Sequence, residues 1–201
     1  IAWMFDRKHT PEETSGARSY EDRRNAERDR QAEQSLAGRD IGQLPEVVNP
    51  DRKAACERNF QLFCESYFPE TYSLAWSPDH LKVIEKIETA VLRGGLFALA
   101  LPRGSGKTTI TESAALWSML YGHREFVVLI GATESAALEL LDSLKTELEV
   151  NERLAEDFPE VCYPVAQLEG IANRCAGQLY KGERTRITWT SNEIVLPTAE
   201  G

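Results

Sequence analysis

Residues 96–109, Leu-Phe-Ala-Leu-Ala-Leu-Pro-Arg-Gly-Ser-Gly-Lys-Thr-Thr, concentrate the chemistry of this chain. Gly104 and Gly106 allow the backbone to curl until several N–H groups converge on one anion. A helix beginning just behind them adds the positive end of its dipole. Lys107 is placed to reach the β- and γ-phosphates of a nucleotide, and the Thr108 hydroxyl to ligate Mg²⁺. Pro102, Arg103, Ser105 and Thr109 complete the expected nucleotide-binding set. The Walker A pattern G-x-x-x-x-G-K-[ST] is not met in full, because its first glycine falls on Leu101. A bare Gly-Lys-Thr would be equally consistent with a solvated lysine at a turn. Here six apolar residues lead in and a helical pattern follows, and that context favours phosphate.

Four further residues are candidates around this loop. Arg103 could stabilise charge on a transferring phosphoryl group, in its own subunit or a neighbour's, or could pair with an acid and only shape the loop. His80 could approach the adenine or ribose, or could be a helix-start histidine satisfied by the backbone. Tyr72 and Trp76 could stack on a base or belong to the core. Trp117, Met119 and Leu120 read as core, and His123 carries no functional expectation. ATP hydrolysis also needs a strand ending in an acid that holds Mg²⁺, often followed by a water-polarising Glu. The run 126–130 ends in Gly-Ala-Thr, and 193–197 ends in Pro-Thr-Ala-Glu with Glu200 far past the strand. The acid is therefore expected beyond Gly201, and the chain is expected to bind a nucleotide but to hydrolyse it poorly alone.

The elements that must position these groups follow from periodicity. Residues 1–42 read as a charged, flexible arm with no apolar face, and residues 43–95 as a helical region. Within the latter, Ala54, Ala55, Phe60, Leu62, Phe63 and Tyr67 could line one helix over 51–68. Ser77 is an N-cap with Pro78 at the first helical position, and Gly94-Gly95 ends the helix that carries Leu81, Ile84, Ile87, Val91 and Leu92. From 96 to 201 the pattern alternates. Strands are expected at 96–101 and 126–130, helices at about 106–121, 134–149 and 151–157, and a hairpin at 186–190 and 193–197. Such alternation implies a mostly parallel sheet.

Composition narrows the classes. A chain of 201 residues with 42% hydrophobic content suits one α/β domain plus extra material. No apolar stretch approaches the ~20 residues that span a bilayer, so no membrane association is expected. Cys56, Cys64, Cys162 and Cys175 match neither a disulfide framework nor a zinc pattern and read as reduced thiols. The net charge is −9, and residues 134–169 hold ten acids against Lys145 and Arg153. Bulk electrostatics therefore do not draw the chain onto nucleic acid. The one basic cluster, Arg174, Lys181, Arg184 and Arg186, reads as a solvated hairpin flank.

Together these residues resemble the large terminase subunit of tailed bacteriophages, from about Asp40 to Gly201. Leu-Pro-Arg-Gly-Ser-Gly-Lys-Thr-Thr is similar to that family's deviant phosphate loop, which carries a basic residue, here Arg103, ahead of Gly-x-Gly-Lys. Ser77-Pro-Asp-His-Leu-Lys-Val-Ile is similar to the segment that helps to hold adenine. Val128-Leu-Ile-Gly-Ala-Thr-Glu-Ser-Ala-Ala looks like the second strand and helix start of terminase and helicase motors. The resemblance implies an ASCE-type P-loop NTPase: a three-layer α/β fold with a mostly parallel sheet, incomplete here and preceded by a helical region. It implies an ATPase that uses ATP and Mg²⁺ to translocate double-stranded DNA. Its implied partners are a terminase small subunit and a portal protein, in a homo-oligomeric ring in the bacterial host cytoplasm. Two readings from other classes stand beside it: a helicase-like or repair ATPase, and a non-catalytic nucleotide-binding assembly module.

Overall fold

Helix starts in this chain are written in its short polar residues. Asn49, Asn59, Ser77, Thr133 and Asn151 each accept a hydrogen bond from a backbone N–H of the turn that follows. Each side-chain oxygen thereby satisfies a donor that the helical ladder leaves over. The helices so begun are α2 (Pro50–Cys56), α3 (Phe60–Tyr67), α4 (Pro78–Arg93), α6 (Glu134–Val150) and α7 (Glu152–Asp157). Two others, α5 (Lys107–Leu120) and α8 (Pro159–Ala166), start without a side-chain cap. A 3₁₀ turn, Ala172–Gly177, follows.

The computed structural model describes residues 20, 22–31 and 38–197. Much of the charged arm expected over 1–42 lies outside these residues, as does Glu200. The chain divides into two units that meet in sequence between Asp40 and Ile41. In the first, residues 22–31 form helix α1, whose side chains are all exposed. The second unit holds every other element.

The mostly parallel three-layer sheet is not found. The described residues are largely helical, and their strands are four two-residue segments in two antiparallel pairs. Leu179–Tyr180 (β1) pairs with Glu183–Arg184 (β2) around a Lys181-Gly182 turn, both residues at positive φ. Thr188–Trp189 (β3) pairs with Ile194–Val195 (β4), a shorter version of the expected hairpin. The two apolar runs expected to be strands form no ladder at all. The physical reason lies in the backbone: a strand exists only where a neighbour takes up its N–H and C=O groups, and no described segment does so here. Leu96, Phe126, Val128 and Ile130 are correspondingly exposed, at 101%, 82%, 60% and 86%. Val127 and Leu129, between them, pack against the core, a period of two that marks an extended chain lying on a helical body.

The core is built around α5. Trp117 is fully buried; its ring lies 5.3 Å from Phe60, and its indole N–H donates to the Cys56 carbonyl at 3.0 Å. Tyr121 meets Phe63 and Phe158 edge-on and donates its hydroxyl to Lys53 O at 2.7 Å. Ile110, Ala114 and Leu116 are buried on the same helix. The helix expected as one piece over 51–68 is two: α2 ends at Cys56 with Glu57 as its C-cap, and Asn59 caps the start of α3. In consequence Ala54 and Ala55 face solvent. On α4, Val83 and Ile84 are buried while Leu81 is 43% exposed. Among the described residues no helix is long and apolar enough to cross a membrane.

Candidate functional site

Residues 101–107 reverse the chain immediately ahead of α5. Gly104 and Gly106 both adopt the left-handed conformation, with φ of 79° and 71°. Gly106 is the N-cap of α5, and having no side chain it offers no acceptor to the first-turn N–H groups. The first bond into the helix is Ile110 N–H to Gly106 O at 2.9 Å, so the N–H groups of Lys107, Thr108 and Thr109 stand ahead of the ladder. Those donors and the helix dipole face the same end. Arg103, Gly104 and Thr108 are exposed, and among the described residues Arg103 makes no ion pair.

The loop is tied across itself. The Lys107 ammonium donates to the carbonyls of Leu101 at 2.6 Å and Pro102 at 2.8 Å. Ser105 Oγ donates to Pro102 O at 2.8 Å. His80, twenty-five residues upstream, reaches the loop as well, its Nε2 lying 3.1 Å from Ser105 O. A carbonyl oxygen can only accept, which assigns the ring hydrogen to Nε2. The structure thus brings every residue expected in the nucleotide site, Pro102 to Thr109 and His80, into one place.

Tyr72 and Trp76 stand behind His80. Their rings lie 5.0 Å apart at 30°, and Trp76 meets the His80 ring edge-on at 6.0 Å. The Trp76 indole N–H donates to Glu65 Oε1 at 2.7 Å, and the Tyr72 hydroxyl shares a hydrogen bond with Ser113 Oγ at 2.8 Å. Burial pushes the Tyr72 phenol above its ordinary value, so it remains a neutral hydroxyl. These rings are engaged with each other, with His80 and with residues of α3 and α5. Spacing alone did not reveal Glu65 or Ser113 as anchors, since their partners Trp76 and Tyr72 lie 11 and 41 residues away in sequence. Glu112, the acid on α5 closest to the loop, is raised by burial, drawn down by Ser143 and raised again by Glu147, both on α6. His123 packs against Trp117 and Tyr121 and donates its Nε2–H to Glu57 O at 2.7 Å.

The donor set suits a polyphosphate: backbone N–H groups, an ammonium and a hydroxyl facing one helix end. It suits Mg²⁺ only as a minor partner, since Thr108 supplies one oxygen and the described residues hold no cluster of three or more His, Cys, Asp or Glu placed for a metal. The basic residues between 174 and 186 are dispersed: Arg174, in the 3₁₀ turn, pairs with Glu169 at 2.7 Å, and Lys181, in the β1–β2 turn, lies over its neighbour Tyr180. Cys56, Cys64 and Cys162 are buried free thiols and Cys175 a half-buried one. No family model matches this chain, and neither does any curated protein or solved structure.

Proposed function

We propose that the chain is the ATP-binding part of a DNA-packaging motor of the large-terminase kind, an ATPase that in its full-length form couples hydrolysis to translocation of double-stranded DNA. One observation carries the nucleotide half of this reading. Two left-handed glycines, Gly104 and Gly106, deliver Lys107 to the first turn of a core-anchored helix whose leading N–H groups have no side-chain cap. The motor half rests on the resemblance of the loop, with Arg103 ahead of Gly-x-Gly-Lys, and of the segments at Ser77 and Val128.

The residues divide the work as follows. The N–H groups of Lys107, Thr108 and Thr109 receive phosphate oxygens, with Pro102, Gly104 and Ser105 shaping the loop around them. The Lys107 ammonium leaves two carbonyls to neutralise phosphate, exchanging two neutral acceptors for charged ones. Thr108 contributes an oxygen to Mg²⁺, which neutralises charge on the β- and γ-phosphates when bound. Arg103, exposed and without an ion pair among the described residues, is free to reach a phosphoryl group in its own subunit or in the next member of a homo-oligomeric ring. DNA, a small subunit and a portal protein are the partners this reading brings.

Isothermal titration with ATP and Mg²⁺ tests it. Lys107→Ala is expected to weaken binding about 10- to 100-fold, the equivalent of roughly 1.5–3 kcal/mol for a charge-assisted contact. Equal affinity in wild type and variant would overturn the phosphate-loop assignment.

A further inference from the structure

His80 lies in a closed circuit of contacts that begins and ends at the phosphate loop. The loop enters α5, and α5 carries the buried Ser113. Ser113 bonds Tyr72, Tyr72 packs on Trp76, Trp76 packs on His80, and His80 bonds the Ser105 carbonyl inside the loop. Every member is held from a second direction. Ser77 Oγ accepts the His80 backbone N–H at 3.2 Å, and Pro78 fixes the start of α4. Glu65 on α3 holds the Trp76 indole. The imidazole is therefore fixed in backbone position and in ring orientation.

What it fixes in turn is a peptide plane. In a trans peptide the C=O and the following N–H point in opposite directions. With Ser105 C=O turned to His80, the Gly106 N–H is turned away from it. The other ties across the loop differ in kind. Lys107 holds Leu101 O and Pro102 O with the very ammonium a phosphate would draw off. The His80 bond engages only a carbonyl, which has no use for an anion, and so it persists when phosphate binds.

We propose that His80 is a positioning residue that holds the Ser105–Gly106 peptide, and with it the turn that presents the leading N–H groups of α5 to phosphate, and makes no contact with the nucleoside. This inference rests on the nucleotide reading above. Of the two sequence expectations for His80, a nucleoside contact or a bond to backbone, it takes the second.

The test compares inorganic tripolyphosphate with ATP, both with Mg²⁺, on the full chain. His80→Phe keeps a ring against Trp76 and deletes the donor. His80→Gln restores an N–H near the position of Nε2. His80→Phe is expected to weaken both ligands by the same factor, about threefold to tenfold for one neutral hydrogen bond. His80→Gln is expected to restore both to within about twofold, on the same energetic scale. Loss of ATP affinity with tripolyphosphate unchanged would overturn the proposal in favour of a nucleoside contact, and no loss of either would overturn it outright. If wild type bound neither ligand, the nucleotide reading would fall and this inference with it. Nitrogen-15 NMR of wild-type histidine gives an arm independent of any variant's folding: His80 is expected as the Nε2–H tautomer, and an unprotonated Nε2 would refute the tie to Ser105.

Discussion

Two polar constellations hold this chain together, and they are built on opposite plans. Around Asp157, every donor converges inward. Asp157 is fully buried, and its Oδ2 accepts from Arg52 Nε at 2.6 Å and from the Tyr67 hydroxyl at 2.7 Å. Its Oδ1 takes the Asn49 N–H at 3.1 Å, and Arg52 continues to Glu156 at 2.6 Å. At residues 101–107 the side chains bond carbonyls, while the glycine-shaped backbone leaves its N–H groups at an uncapped helix end. The first arrangement uses up its hydrogen-bonding capacity on itself, and the second holds donors in reserve. Buried polar groups that satisfy each other specify a fold, whereas preorganised donors at an open helix end specify a ligand.

The largest test of that contrast removes the charge from the closed constellation. Asp157→Asn leaves Arg52 facing an amide in a buried site. Breaking one side of such a pair costs about 3 kcal/mol at the lower end of the usual range, appropriate because the Arg52 side chain keeps 21% of its exposure. For a chain of this size the melting temperature should fall by about 6–12 °C. Phosphate affinity of the folded fraction should not change. A melting temperature within a degree of wild type would show that the constellation is not what fastens α2 to α7.

The same pair gives a pH signature. Burial alone would raise the Asp157 carboxyl, but Arg52, Tyr67 and the Asn49 N–H together outweigh it and hold it below its ordinary value. A carboxyl held low in the folded state stabilises the fold at all pH above the unfolded value, about 3.9, and that stabilisation is lost as pH falls through the folded value. Denaturant unfolding should therefore show wild type and Asp157→Asn converging in stability below about pH 4. A constant difference between them from pH 7 to pH 2 would contradict the charge pairing. Arg52 is raised by the same bond and does not titrate in this window.

In the open region the comparable test is smaller. Gly106→Ala places a Cβ where no atom lies within 4 Å, so sterics with neighbours contribute nothing. The left-handed backbone at φ 71° remains, and an L side chain there costs about 1–2 kcal/mol. The loop should relieve this by rotating out of the left-handed region, which would misdirect its N–H groups. Titration with tripolyphosphate should show a larger loss of affinity than the loss of stability seen by thermal melting. A variant that melts lower yet binds as wild type would mean that the loop's shape is not what receives phosphate.

Local helix boundaries were legible in the sequence, and the tertiary pairing was not. Ser77, Pro78 and Gly94 announced α4 because caps act within a few residues, and all three sit where their chemistry demands. The glycine turn ahead of α5 was legible for the same reason. The runs at 96–101 and 126–130 were misread because apolar composition states only that a segment would suit a sheet. Pairing is a property of a second segment, and composition cannot supply it. Asp157 escaped notice among ten acids because its partners, Asn49, Arg52 and Tyr67, lie about a hundred residues upstream. His80 was left between a nucleoside contact and a bond to backbone, and the structure shows the backbone bond, to Ser105 O, because a histidine's partner is a matter of three-dimensional approach.

The smallest effect is expected at Ser105. Its hydroxyl donates to Pro102 O at 2.8 Å, an acceptor that Lys107 also occupies at the same distance. Deleting the hydroxyl therefore leaves that carbonyl satisfied, and no polar group is stranded. The loss is then only the net value of one half-exposed hydrogen bond, about 0.5 kcal/mol. With ligand bound, Lys107 is drawn toward phosphate, and Ser105 becomes the remaining side-chain tie to Pro102 O. Ser105→Ala should accordingly leave the melting temperature of the free protein almost unchanged while weakening tripolyphosphate about twofold to threefold, the equivalent of roughly 0.5 kcal/mol expressed only in the bound state. A parallel drop in both would place Ser105 with the Asp157 constellation, as a structural tie. No change in either would show that the lysine never leaves Pro102 O, and the comparison between a closed and an open region would lose its clearest functional distinction.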